Sequence, residues 1–269
     1  MSDLIYDKHN VKLYRGNSTE INLESESVRF VVTSPPYNVG VNYDGYSDDL
    51  PFEEYWSFTE KWMRECYRLL QTSGRIVVNV PNTGNGRHKK KGDGYIPYLP
   101  YALNALSISG FTIREVITWV KSNAETEIDS ESNFSMGNTA WGSWMSPSNP
   151  SCRSLTEFLV VAHKGSPKLL WRGVSDIEKE DFMKKLTRNV WVMPTAHERN
   201  HPAAFHPELP RRTIQLYTYV GDTVLDPFCG TATTNMVASK LNRPSIGIEQ
   251  SAHYLKDACA RLDKELEKV

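Results

Sequence analysis

Cysteine is scarce in this sequence and badly placed for cross-linking. Cys66, Cys152, Cys229 and Cys259 are the only four in 269 residues, and no two stand at a C-x-x-C spacing. That excludes a disulfide-dense secreted scaffold and argues against a structural zinc site. The seven histidines, His197, His201 and His206 among them, show no ligand spacing either, so no metal is expected. Excess charge is also missing: 31 Lys and Arg against 32 Asp and Glu leave a net charge of -1. A nucleic-acid partner must then be held by a local patch, because the molecule has no overall attractive field. No uncharged apolar run approaches the ~20 residues of a membrane span. The first ten residues, MSDLIYDKHN, lack a basic-then-apolar leader. A cytoplasmic location with no membrane partner is the expectation. Internal repeats and a separate linker are absent as well.

What the sequence does contain is an alternation of periods. Val28–Thr33 (VRFVVT) is a continuous β-branched and aromatic run, as in a buried parallel strand. Phe52, Tyr55, Trp56, Thr59, Trp62, Met63, Cys66, Tyr67 and Leu70 then recur at three- and four-residue steps, which predicts a helix from Pro51 to Leu70. Strands are expected at Arg75–Val80, Thr112–Val120, Leu155–Ala162, Thr223–Asp226 and Pro244–Glu249, and helices at Tyr98–Ser107, Thr233–Leu241 and Ala252–Leu266. Strand alternating with helix implies an α/β sheet with helices on both faces, in a single domain over residues 1–269. Three stretches interrupt the rhythm. One is a Gly-rich loop at 82–94 carrying Arg87, His88, Lys89, Lys90 and Lys91. The second is a Ser- and Asn-rich stretch at 122–153 with Trp141 and Trp144. The third is a mixed-charge stretch at 163–201 with Trp171 and Trp191.

Two motifs carry chemistry. In TVLDPFCGTATT, Thr223–Thr234, a strand ends in Asp226, a turn with Gly230 follows, and small hydroxyl residues open a helix. One strand and one helix later, IGIEQ places Glu249 at the next strand end. In α/β sheets ligands collect at such strand carboxyl ends, and the spacing suits a nucleoside whose ribose is held by a carboxylate. Taken alone, Asp226 is better read as a capping or turn residue and Glu249 as a solvated loop acid; it is their pairing that points to a ligand. The other motif is VVTSPPYNVG, where a strand runs into Ser34, Pro35, Pro36 and Tyr37.

The pair TSPPY and DPFCGTATT, joined by HPAAFHPELPRRTIQLYTYVGDTVLDPF, resembles the S-adenosylmethionine-dependent DNA amino methyltransferases. It resembles their beta arrangement, in which the catalytic motif precedes the cofactor motif, and the likeness covers nearly the whole chain. The family tetrapeptide, Asp, Asn or Ser followed by Pro-Pro-aromatic, falls on Ser34, Pro35, Pro36 and Tyr37. The cofactor motif falls on Asp226, Pro227, Phe228, Gly230 and Thr231, with Ala232 where a Gly is common. The resemblance adds Glu249, Asn17 of LYRGNS at the adenine end, Thr33 before the tetrapeptide, and His201 and Phe205 of HPAAFH at the methionine end. It implies a Rossmann-like seven-stranded sheet in circularly permuted order, and both Asp226 and Glu249 facing one cleft. Residues 122–153 and 163–201 then become candidate insertions for target recognition, and Arg87, Lys89, Lys90 and Lys91 candidate contacts to DNA phosphates.

The implied chemistry answers why a strand should end in Ser-Pro-Pro-Tyr. An exocyclic amino group is a poor nucleophile because its lone pair is delocalised into the ring. The Ser34 oxygen and the Pro35 carbonyl accept its two hydrogens and localise that pair for in-line attack on the donor methyl. The prolines fix the acceptors, and Tyr37 offers a face for a base taken out of the duplex. No covalent nucleophile is needed. Cys229 sits in the cofactor loop and Cys152 lacks a strand-end setting, which argues against a C5-cytosine mechanism. A leading Ser is associated in the family with N4-methylcytosine, and N6-adenine is the alternative target. A non-catalytic DNA-binding relative and a methyltransferase for RNA or a protein amide are the other readings. Expected partners are double-stranded DNA and a cognate restriction endonuclease, with the protein a monomer or homodimer.

Overall fold

The computed structural model describes residues 3–82, 97–122, 143, 145–150, 152, 155–196 and 205–267. In chain order its elements are β1 (Asp3–Lys8), β2 (Val11–Arg15), β3 (Val28–Thr33), β4 (Asn42–Tyr43), β5 (Tyr46–Ser47), α1 (Phe52–Leu69), β6 (Leu70–Pro81), α2 (Tyr98–Ile108), β7 (Thr112–Lys121) and β8 (Thr156–His163). After β8 come α3 (Lys179–Asp181), continued by a π-helical turn at Phe182–Leu186, then β9 (Val190–Met193), α4 (Glu208–Tyr217), β10 (Val224–Asp226), α5 (Thr233–Lys240), β11 (Ser245–Glu249) and α6 (Ala252–Leu266). No helix among the described residues is long and apolar enough to cross a membrane.

The helical period dictates α1. It buries Tyr55, Thr59, Trp62, Met63, Cys66 and Leu69, carries Glu53 and Glu54 in its first turn and Arg68 in its last, and stops where Leu70 turns extended and starts β6. The strands assemble into one sheet in the order β1-β2-β11-β10-β3-β6-β8-β7-β9. From β2 to β6 the neighbours are parallel; β8 is antiparallel to both β6 and β7, and β9 is parallel to β7. Alternate residues of β6 and β8 serve opposite faces. Val77, Leu159 and Val161 join a core with α4, α5 and α6, while Ile76, Val78, Val160 and Ala162 join one with α1 and α2. The result is a three-layer α/β/α arrangement.

The sheet has nine strands rather than the expected seven. Both additions are edge strands that sequence pattern does not announce. In β1 a single residue, Tyr6, is buried, and β9 is four residues long inside a charged stretch. Part of the 163–201 stretch is therefore sheet: Trp191 and Met193 of β9 lie in the core. Missed too were the β4–β5 hairpin and α4, whose Pro210 and paired arginines hide its apolar stripe.

Strand direction positions the site. From β10 the chain proceeds through α5 to β11 on one side, and from β3 through α1 to β6 on the other, so the winding reverses between β10 and β3. The carboxyl ends of β2, β11, β10, β3 and β6 share one edge of the sheet, where such a reversal opens a crevice.

Candidate functional site

A cavity holding about 730 Å³ of empty space, part of it open to solvent, lies at that reversal. Gly16 and Asn17 after β2, Ile248 and Glu249 of β11, Pro227 and Phe228 after β10, and Ser34, Pro35, Pro36 and Tyr37 after β3 all line it. Tyr43, Asp44 and Tyr46 from the β4–β5 hairpin, Tyr254 from α6, Phe58 from α1, and Ser18 and Gln250 complete the wall. The fold thus brings the two motifs into one site although 192 residues separate Ser34 from Asp226.

On the β10–β11 side, the two acids behave differently. Glu249 is on the wall: its Oε2 accepts from the Gly230 N–H (3.1 Å) and its Oε1 from the Ser251 N–H (2.8 Å). Burial raises its pKa against the opposing pull of those N–H groups. Asp226 is 1% exposed and is not among the residues that line the cavity. It accepts from the Thr33 hydroxyl (2.7 Å), the Thr234 hydroxyl (2.6 Å) and the Phe228 N–H (3.1 Å). Burial lifts its pKa to about 6 despite these donors. Asp226 and Thr33 therefore hold the turn together, and of the two acids expected to face the cleft only Glu249 does.

Gly230 reaches the site through its N–H, and the Thr231 hydroxyl faces Arg261 (3.1 Å). A Cβ on Gly247 would meet Leu13 at 2.7 Å and Asn235 and Cys229 at 2.8 Å, so the turn packs directly on the β11 backbone. That packing buries Cys229, and burial pushes its thiol well above the ordinary value. Ala232 occupies the left-handed region at φ 62° with its methyl fully buried. Asn17 is exposed at the rim, and its Oδ1 accepts from the Thr19 N–H (3.0 Å). Phe205 is buried in the core beside α4. His201, Arg87, Lys89, Lys90 and Lys91 lie outside the described residues.

On the β3–β6 side, the tetrapeptide is held by hydroxyls. Tyr55 donates to the Pro36 carbonyl (2.9 Å) and Tyr98 to that of Tyr37. The Pro35 carbonyl has no hydrogen-bond partner among the described residues. The Ser34 and Tyr37 hydroxyls are 2.8 Å apart, and Asn79 of β6 donates to Tyr37 (2.8 Å) and to Glu157 of β8 (2.6 Å). Lys121 of β7 pairs with the other Glu157 oxygen at 2.6 Å. Burial, then the Glu157 carboxylate, push the Tyr37 phenol well above its ordinary pKa, so it remains a hydroxyl. Asp48, 2% exposed, gathers the following loop by accepting from the N–H groups of Asn38, Val39 and Val41. Asp44 ties the hairpin to α6 through the Ser251 hydroxyl (2.6 Å).

Sequence reading missed Asp48, Asn79, Lys121, Glu157 and the cavity tyrosines Tyr43, Tyr46 and Tyr254. They stand outside any motif, and only the register of β6, β8 and β7, which sets Asn79 opposite Leu159 and Trp119 opposite Glu157, gathers Asn79, Lys121 and Glu157. No cluster of three or more metal-ligating side chains is present among the described residues.

Comparison with known proteins bears on the same residues. A family model described as DNA methylase matches residues 28–260, which include both motifs. The chain is 36% identical over 191 residues to the type II methyltransferase M.MjaVI of Methanocaldococcus jannaschii, covering 71% of this chain and 89% of that one. It is 27% identical to the DNA adenine methyltransferase YhdJ of Escherichia coli, covering 90% and 78%. Among solved structures, a DNA modification methylase from Thermus thermophilus, complexed with S-adenosyl-L-methionine, superposes with a TM-score of 0.72 at 25% identity, covering 96% of this chain and 95% of that one.

Proposed function

The chain belongs to the N6/N4 DNA methylase family, and from that premise we propose that it methylates the exocyclic N4 of cytosine in duplex DNA at a specific sequence. S-adenosylmethionine, when bound, supplies an electrophilic methyl group. The cavity suits it. Glu249 keeps acceptor capacity on both oxygens for ribose hydroxyls, Pro227, Phe228 and Ile248 give apolar walls, and Asn17 stands at the adenine end. Asp226, Thr33, Gly230 and Thr231 serve by shaping the turn.

The observation that carries the proposal is the pattern of free and occupied acceptors on the tetrapeptide. Tyr55 and Tyr98 take the carbonyls of Pro36 and Tyr37, while the Pro35 carbonyl has no partner among the described residues and the Ser34 oxygen meets only the Tyr37 hydroxyl and, at 3.5 Å, Asn79 Nδ2; Ser34 and Pro35 both line the cavity. Those two accept the hydrogens of an amino group and localise its lone pair, an interaction that strengthens as the nitrogen becomes tetrahedral. The base reaches them by leaving the duplex, and Tyr37 stacks on it. Ser34 at the head of the tetrapeptide supports cytosine. The likeness to an adenine methyltransferase supports N6-adenine as the second reading.

Topology supports DNA approaching this edge. Residues 83–96 follow the end of β6, and residues 123–154 connect the end of β7 to the start of β8 in sequence, so the described residues flanking both stretches lie on the cleft side. Arg87, Lys89, Lys90 and Lys91 then contact phosphates and 122–153 reads sequence. The stretch after His163 leaves from the opposite edge, where Trp171 stacks on Arg29 and donates to Asp222. We read the order of the motifs along the chain as a circular permutation of the methyltransferase sheet. The likeness to a type II methyltransferase supports a role beside a cognate restriction endonuclease.

The test is transfer of labelled methyl groups to random-sequence duplex DNA, followed by sequencing and nucleoside digestion. N4-methylcytosine within one sequence is the expected product. N6-methyladenine alone moves the target to adenine, and no labelled nucleoside overturns the reading.

A further inference from the structure

For Ser34 to accept a hydrogen from an amino group, its own proton must point elsewhere. The 2.8 Å contact between the Ser34 and Tyr37 hydroxyls can run in either direction. If Tyr37 donates to Ser34, the Ser34 proton is left to face the cavity, donor against donor with the incoming amino group. If Ser34 donates to Tyr37, the Tyr37 proton needs an acceptor of its own.

We propose that Glu157 is that acceptor, a positioning residue that fixes the direction of the Ser34–Tyr37 hydrogen bond so that Ser34 presents lone pairs to the target amino group. The inference rests on the amino-methylation reading above. Glu157 Oε2 lies 3.4 Å from the Tyr37 oxygen. Asn79 Nδ2 donates to both, at 2.8 Å to Tyr37 and 2.6 Å to Glu157, with a longer contact of 3.5 Å to Ser34 Oγ that leaves the other Ser34 lone pair for the target. The carboxylate also fixes the Asn79 amide: a flipped amide would set its oxygen against Glu157, and the orientation observed leaves Asn79 Oδ1 buried without a partner instead. With Asn79 donating, the Tyr37 oxygen is already an acceptor and its proton is drawn to the anion, since hydrogen bonds to ionised groups are about twice as strong as neutral ones. Ser34 donates in turn to Tyr37, and its lone pairs face the cavity. Lys121 closes the chain at 2.6 Å from Glu157 Oε1 and holds the carboxylate in place.

The chain makes an unusual demand on substitution. In Glu157→Gln the amide oxygen turns to Lys121, because an NH2 there would oppose an ammonium. The amide NH2 then faces Tyr37; in an Asn79→Ala background, in which this series and its reference are measured so that no flipped Asn79 amide can take the Tyr37 proton instead, it drives that proton back to Ser34 and reverses the bond. Adding Lys121→Met removes the ammonium, lets the amide oxygen face Tyr37 and restores the direction. The expected result for E157Q is a fall in turnover of about 10- to 100-fold at saturating DNA and S-adenosylmethionine, by analogy with losing one transition-state hydrogen bond. Cofactor affinity by calorimetry and melting temperature should stay near those of the reference. The double variant E157Q/K121M should recover at least part of the turnover. A side chain that merely held β8 to β7 would give the opposite order, with the double variant worse than the single. That order, or unchanged turnover in E157Q, overturns the proposal. Should E157Q not fold, Tyr37→Phe carries the test: it cuts turnover but not affinity, and an unaltered rate overturns the proposal. Wild-type protein that transfers no methyl group to DNA overturns this inference with the reading beneath it, whereas active wild type with an indifferent E157Q overturns this inference alone.

Discussion

The two halves of the cavity hold their polar groups by different means. On the β10–β11 side three of the five donors to the acids are backbone N–H groups of the turns beside them, Ser251 and Gly230 to Glu249 and Phe228 to Asp226, and the Thr33 and Thr234 hydroxyls complete the set on Asp226. On the β3–β6 side the partners are side chains from separate strands and helices. Ser34, Tyr37, Asn79, Glu157 and Lys121 form one chain, with Tyr55 and Tyr98 capping carbonyls beside it. A main-chain cradle has little freedom and suits a ligand that must be gripped the same way at every turnover. A side-chain network instead sets the direction of hydroxyl protons, which suits a site that must offer lone pairs.

Substitutions break this division in order of effect. Ser34→Ala removes an acceptor made to strengthen in the transition state, and turnover should fall by about a hundredfold or more while cofactor affinity holds. Steady-state kinetics beside calorimetry check it. Asp226→Ala strands the Thr33 and Thr234 hydroxyls and the Phe228 N–H in the interior, and should cost about 2–4 kcal/mol of stability in denaturant titrations. Cofactor binding is lost with the turn, so the acid is structural first. Glu249→Ala should weaken S-adenosylmethionine by about 10- to 30-fold, as expected for hydrogen bonds to a charged acceptor, with the melting temperature less affected.

Asp226 also gives the protein a pH signature. Its folded pKa of about 6 is above the ordinary 3.8, so between those values the native state holds a proton that the unfolded chain has released. Stability from this group is present below the unfolded pKa and is lost as pH rises through 6. From pH 5 to pH 7 the loss is about 1 kcal/mol; Asp226→Asn lacks the titrating group, so the stability difference between wild type and variant should fall by that amount across this window. The smallest effect is at Ala232. Replacement by Gly relieves left-handed strain of about 1–2 kcal/mol, but loses a buried methyl worth ~0.8 and adds unfolded-state freedom worth ~0.5–1 kcal/mol. The melting temperature should move by no more than about a degree or two.

The same contrast governs what the sequence made legible. The β10 turn is a local object: Asp226, Gly230 and the hydroxyls that open α5 lie within a dozen residues, and the strand before them and the helix after them carry clear periods. The tetrapeptide was legible for the same reason. Glu157 and Lys121 were not, because they lie 120 and 84 residues from Tyr37 and gain meaning only from β8 being inserted antiparallel between β6 and β7. The burial of Asp226 escaped detection because a strand-end acid reads alike whether it faces a ligand or caps a turn. Edge strands β1 and β9 carry too few buried residues to leave a pattern.

The division of labour is tested most directly by titrating S-adenosylmethionine into Ser34→Ala and Glu249→Ala in a calorimeter and measuring turnover of both at saturating cofactor. The account predicts that Ser34→Ala binds within about twofold of wild type yet turns over about a hundredfold more slowly, while Glu249→Ala binds weakly and recovers turnover once saturated. Parallel loss of affinity and turnover in both variants would contradict it.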